Sequence, residues 1–210
     1  MKNAHLTQYF KEAAELAQSL DFKAIDAMVE RLLRLRQEHG RLFLCGVGGS
    51  AANCIHAVND FRKLTGIEAY SPAENIAELT ARTNDEGWDT VFSRWLDVSR
   101  ACKKDALLVL SVGGGSKERN ISANIVAAVD QAKRNGMDVL GIVGRDGGYT
   151  KKHGDIVVVV PTINPGNITP HCESFQAVIW HAIASDPRLR VIANKWESTA
   201  LAGKNKAAVS

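Results

Sequence analysis

His56 and Asp60 stand four residues apart in GVGGSAANCIHAVNDF, residues 46–61. On a helix that spacing puts an imidazole and a carboxylate on one face. There they can share a metal ion or act as a proton-transfer pair. A second polar group lies in PHCESFQAVIWH, residues 170–181. Gln176 follows Glu173 by one helical step, while Glu173 and His181 are separated by two turns plus about 80°, so both can border one pocket without stacking. His181 sits within the apolar stretch AVIWHAIA, where an unpaired imidazole is costly. Sets of histidine and carboxylate with open positions suit zinc. His5, His39 and His153 read as ordinary surface or core residues, His171 as a polar residue opening its helix, and Phe175 and Trp180 as core.

Two glycine loops accompany these groups. GVGGS follows Leu42–Cys45, and VGGGS follows the run ending at Ser111. A glycine turn feeding a helix N-terminus gathers backbone N–H groups around a small volume, and the helix dipole adds partial positive charge. Phosphate is the natural guest, with Gly48, Gly49, Ser50, Ser111, Gly113 and Ser116 as the candidate contacts. Tight turns of an α/β fold are the plainer reading of either loop alone. Neither loop fits the dinucleotide fingerprint or carries the lysine of a P-loop, which disfavours nucleotides and favours a phosphorylated small molecule.

The elements that must position these residues follow from hydrophobic period. Residues 5–39 read as two amphipathic helices with a break near Asp21. Short apolar runs at 42–45, 106–111, 139–143 and 155–160, with a weaker one near 68–70, read as strands. Helical patterns at 51–64, 73–82, 88–100, 120–135 and 171–185 separate or follow them, GRDGG reads as a turn, and 161–170 reads as a loop holding three of the five prolines. Apolar runs alternating with helices predict a parallel sheet covered on both faces. The two glycine loops then lie beyond the carboxyl ends of strands, where open α/β sheets bind ligands. The leucine-rich N-terminal helices are surplus to that unit, so an oligomer interface is the natural place to bury them. The expected divisions are 1–40 for oligomerisation, 41–190 for the α/β domain and 191–210 for a frayed tail.

Bulk composition excludes several classes. The 210 residues suit one domain. A net charge of +3, from 26 basic and 23 acidic residues, is too mild to argue for nucleic acid. No apolar run reaches the ~18–20 residues of a membrane span, and the start lacks a signal-peptide core. Four irregularly spaced cysteines point to a reducing cytoplasm rather than to disulfides.

In this order the motifs resemble the sugar isomerase (SIS) domain superfamily and, within it, the phosphoheptose isomerase family. GVGGSAANCIHAVNDF is similar to the family's G-N-G-G-S-A-A-x-x-x-H-x-x-x-E-[LF], and TNDEGWDTVFSRW to its N-D-[YF] stretch. LLVLSVGGGS falls in place of its S-T-S-G-N-S loop, and VLGIVGRDGG is nearly a family segment. The resemblance spans roughly residues 5–185. It implies a three-layer αβα sandwich with a five-stranded parallel sheet, a homotetramer with active sites between subunits, and aldose–ketose isomerisation of a seven-carbon sugar phosphate. By resemblance, His56 matches a metal-binding histidine, Asp60 the catalytic glutamate, His181 the second catalytic histidine and Glu173 a metal-binding glutamine. On that match the expectation is zinc held by His56, Asp60, Glu173 and His181, with Asp60, His181 and Glu173 as catalytic groups. Ser50, Ser111, Ser116 and Asp85 match substrate-contacting positions. Val47, Val112 and Gly113 replace polar family residues, Asp60 is one methylene shorter than the family's glutamate, and Glu173 replaces a glutamine. These departures mark a divergent member.

The implied chemistry is proton transfer through a cis-enediol, with Asp60 or Glu173 as base and His181 as its acid/base partner. One carboxylate cannot serve as ligand and base at the same moment, so both assignments stand. The alternative is a non-catalytic SIS scaffold or sugar-phosphate sensor, which would have no use for four titratable groups.

Overall fold

The computed structural model describes residues 4–193 together with Lys195 and Thr199. Of the expected 191–210 tail, all but 191–193, 195 and 199 lies outside the described residues. Two helices open the chain, α1 (Ala4–Ser19) and α2 (Phe22–Gln37). The break between them is set by Asp21, whose carboxylate accepts from the Lys23 and Ala24 amides at 3.1 Å and caps α2. Then follow β1 (Leu42–Cys45), α3 (Gly49–Thr65), β2 (Ala69–Tyr70), α4 (Ile76–Glu86) and α5 (Val91–Val98). The second half runs β3 (Ala106–Ser111), α6 (Ala123–Arg134), β4 (Asp138–Val143), α7 (Gly148–His153), β5 (Ile156–Val159) and α8 (Ile168–Ala184).

All strand pairs are parallel, in the order β2-β1-β3-β4-β5. β1 and β3 are buried along their whole length, as strands covered on both faces must be. Alternate residues of β3 feed two separate layers. Leu108 and Leu110 join Leu16, Leu32, Phe61, Ile179 and Trp180 on one face, while Leu107 and Val109 join Phe92, Trp95, Ile125 and Val129 on the other. The result is the expected αβα sandwich.

The N-terminal helices pack onto this chain's own core, where Leu16, Met28, Val29, Leu32 and Leu35 are buried. Leu6, Phe10 and Phe22 stay exposed. Two buried polar latches fix the pair. Arg31 of α2 is ion-paired to Asp138 at the start of β4. Glu12 of α1 accepts from Gln8 (3.1 Å), Asn164 (2.7 Å), Asn167 (2.9 Å) and the His171 ring (2.8 Å). Those donors, Asn167 foremost, hold its carboxyl down at about 2, against 4.5 ordinarily.

Two helix starts move for identifiable reasons. α8 starts at Ile168 rather than 171, because Pro170 falls in its first turn, where a missing N–H costs nothing. α6 starts at Ala123 rather than 120, because Ser116 and Ile121 close an antiparallel bridge around the intervening residues. α7 had no counterpart in the sequence reading. Among the described residues no helix is long and apolar enough to cross a membrane.

Candidate active site

In this strand order the chain leaves β1 toward one edge of the sheet and returns through β3 toward the other. The carboxyl ends of β1 and β3 therefore border a natural crevice. A cleft of about 300 Å³ lies there, lined by Val47 and Ser50 of the first glycine loop, Ser111, Val112 and Gly113 of the second, and Ile121, Ser122 and Arg145.

Backbone packing shapes this cleft. Gly48 has φ +63° at the N-cap of α3. A Cβ on Gly49 would lie 2.5 Å from the Glu173 carboxyl carbon, so only glycine lets that carboxylate rest on the first turn of α3. The second loop is braced from behind by α7. Gly114 O accepts from the Thr150 amide (2.9 Å) and hydroxyl (2.8 Å), and Gly115 O from the Tyr149 amide (2.8 Å). A Cβ on Gly148 would collide with the Gly113 and Gly115 carbonyls. Ser111 turns inward and accepts from Gly114 N at 3.1 Å.

A second assembly lies where α3 packs on α8. Asn53 ties the two, donating to Glu173 O at 2.9 Å and to the buried Gln176 side chain at 3.1 Å. Further along, His56, Asp60 and His181 bring one ligand atom each within 4.8 Å of one another. His181 Nδ1 lies 2.7 Å from Ala177 O. A carbonyl only accepts, so Nδ1 carries the hydrogen and Nε2 faces Asp60 Oδ2, 3.7 Å away. The His56 ring meets the His181 ring edge-on at 5.1 Å and packs against Trp180 at 4.7 Å. Two imidazoles and a carboxylate with an open side fit zinc.

The structure thus gathers three of the four expected metal ligands, and Glu173 is not one of the group. Nor do His56, Asp60 and His181 line the cleft of Ser50. At 1.5 Å per residue, His56 and Asp60 lie roughly 9 and 15 Å along α3 from Ser50. Asp85 sits exposed on the last turn of α4 and is not among the cleft's lining. Ser116 is also outside that lining. It donates to Glu118 at 3.1 Å and borders a smaller adjoining cavity. Ser122 takes the place expected of it, at the N-cap of α6 with no capping bond. The sequence signal for Ser122 was a serine just before an apolar helical pattern. Arg145 lies within GRDGG, a pattern that marks only a turn. Thiol chemistry is unavailable here, since burial pushes Cys172 up to about 12 and Cys54 well above its ordinary range.

The SIS domain family model matches residues 8–144. A phosphoheptose isomerase of Chlorobaculum tepidum is 33% identical over 159 residues, covering 72% of this chain and 73% of that protein. One from Helicobacter pylori is 30% identical over 190 residues, covering 88% and 93%. The solved phosphoheptose isomerase of Neisseria gonorrhoeae superposes with a TM-score of 0.76 at 25% identity, covering 88% of this chain and 98% of that one. With its sheet order, its two glycine loops and these relatives, the chain belongs to the SIS domain family and, within it, to the phosphoheptose isomerases.

Proposed function

We propose that the protein interconverts a ketose phosphate and an aldose phosphate, with sedoheptulose 7-phosphate and D-glycero-D-manno-heptose 7-phosphate as the pair. The observation that carries this reading is the facing of Asp60 Oδ2 and His181 Nε2 at 3.7 Å, with the Nδ1 hydrogen of His181 already committed. A carboxylate beside an imidazole can take a proton from carbon and move one between the two oxygens of an enediol. Asp60 is assigned the carbon proton and His181 the oxygen protons. The cleft between the glycine loops holds the phosphate, so that binding energy at one end orients the other.

The donors His56, Asp60 and His181 would hold zinc, with Glu173 reaching it only by leaving Gly49. A zinc ion there supplies polarisation of the substrate carbonyl. With Asp60 and His181 Nε2 engaged in that way, neither could move a proton, so the metal-bound arrangement is the alternative to the acid/base pair above, with Glu173 as its base. Glu173 rests on the first turn of α3, and none of its side-chain atoms hydrogen-bonds a described residue.

The distance between cluster and cleft is met by a homotetramer with sites shared between subunits. What supports it is exposed apolar surface: Ile55 beside His56 and Val178 one turn before His181, and separately Phe10 on α1. No side chain of α4 is fully buried within the chain. A reducing cytoplasmic setting suits the four free thiols.

The test is a proton NMR time course of purified protein with sedoheptulose 7-phosphate in D₂O, with and without zinc. An aldoheptose 7-phosphate carrying deuterium at C2 is expected. Absence of turnover and of solvent exchange with any ketose phosphate contradicts the reading.

A further inference from the structure

We infer that Arg145, in the loop between β4 and α7, is the side chain that binds the substrate's phosphate in the cleft, supplying charge beside Val112 and Gly113, which carry no hydroxyl. The inference rests on the sugar-phosphate reading above.

Four observations carry it. First, the cleft wall contains no acidic residue, and Arg145 is its one cation. Second, that guanidinium has no ion pair or hydrogen bond among the described residues. Its neighbour Asp146 is occupied with the Gly148 amide at 3.2 Å. Third, Ser50 lines the cleft, and its hydroxyl has no hydrogen-bond partner among the described residues. That donor is available to a ligand acceptor there. Fourth, the Arg145 side chain crosses above Gly113, its Cδ 4.0 Å from where a Cβ there would stand. Gly113 does not have positive φ, so neither backbone conformation nor steric conflict demands glycine at that position.

The loop that presents Arg145 is held firmly. Gly144 N donates to Ser111 O at 3.2 Å and Gly147 N to Gly144 O at 2.9 Å. Arg145 itself has φ +55°, a conformation glycine adopts more cheaply. An arginine kept at such a position, unpaired and over an acid-free cleft, is fitted to a dianion. A guanidinium presents forked donors to phosphate oxygens that a pair of hydroxyls would otherwise meet.

The test uses full-length protein and two substitutions. R145G removes the side chain at a φ that suits glycine, so the fold is retained; R145K keeps the charge without the fork. Calorimetry is run with inorganic phosphate and with sedoheptulose 7-phosphate, alongside steady-state kinetics. R145G is expected to weaken both ligands by about ten- to a hundredfold, raising KM with kcat nearly unchanged, and R145K to recover part of the loss. Binding of both ligands by R145G within about twofold of the parent, or no phosphate binding by the parent, overturns the inference. Loss of phosphate binding in R145G without isomerase turnover in the parent leaves Arg145 as an anion site and removes the isomerase reading. Turnover with an unchanged KM in R145G does the reverse.

Discussion

The cleft and the His56/Asp60/His181 cluster are built in opposite ways. The cleft is shaped by backbone packed behind its wall: glycines 114, 147 and 148 cross so closely that a Cβ on Gly114 would lie 2.6 Å from the Gly147 carbonyl carbon. The cluster is made of side chains standing on the outer face of the α3–α8 pair, with His56 and His181 both exposed. A backbone site tolerates little change in shape and much change in hydroxyl count. An exposed side-chain site tolerates truncation without unfolding but loses its chemistry at once. Substitutions should therefore separate stability from activity according to which region they touch.

The largest effect is expected from Gly148→Ala. Its Cβ meets two carbonyls at φ +52°, so the second loop must move or the chain unfold, at a cost of about 3 kcal/mol or more. A thermal melt reads this, and an unchanged Tm would break the contrast. His181→Ala should do the opposite. It should lower kcat by about 10²–10⁴-fold with a melting curve close to the parent's, since the ring is 47% exposed. An unchanged kcat removes His181 from the chemistry.

Asn53→Ala probes the tie beneath the cluster. It strips the donor from the fully buried Gln176 oxygen and should cost about 1–3 kcal/mol. Zinc affinity, read by competition with a chelator, should fall with it. Glu12 gives a pH-dependent version of the same test, because its brace holds the start of α8. Its folded carboxyl titrates at about 2 against 4.5 ordinarily. Its stabilising contribution is thus complete above about pH 4.5 and is lost as pH falls toward 2. Denaturant midpoints measured across that window should drop more steeply for the parent than for E12Q, and parallel slopes would refute the brace. The smallest effect is expected from Gly113→Ser. Nothing obstructs it, so stability should stay within about 0.5 kcal/mol while KM for sugar phosphates shifts.

Much of this molecule was legible in its sequence, for reasons the same contrast explains. β1 and β3 are uninterrupted apolar runs with the bounds expected of them, and the glycine loops advertise backbone crowding directly. The pairing of His56 with Asp60 follows from helical spacing. What was not legible depended on tertiary return. α7 has six residues and a single buried one, hence no apolar period; what holds it is bonding to Gly114 and Gly115 carbonyls. Ser116 adjoins the glycines in sequence, but the Ser116–Ile121 bridge carries the chain outward and brings Ser122 back. The separation of cluster from cleft, by contrast, is written in the motif itself, as the six and ten residues of α3 between Ser50 and His56 and Asp60.

That separation leads to the most direct test of the account, which holds that the two regions complete one site across subunits. Val47→Asp places a carboxylate at the mouth of the cleft, on an exposed residue, and should repel a phosphate. Each of V47D and H181A should be nearly inactive alone. Co-expressed as mixed oligomers in equal amounts, they should regain about one quarter of parental activity, because random assortment pairs an intact cleft with an intact cluster at that frequency. No recovery from well-folded mixed oligomers would contradict the account and return cleft and cluster to a single chain.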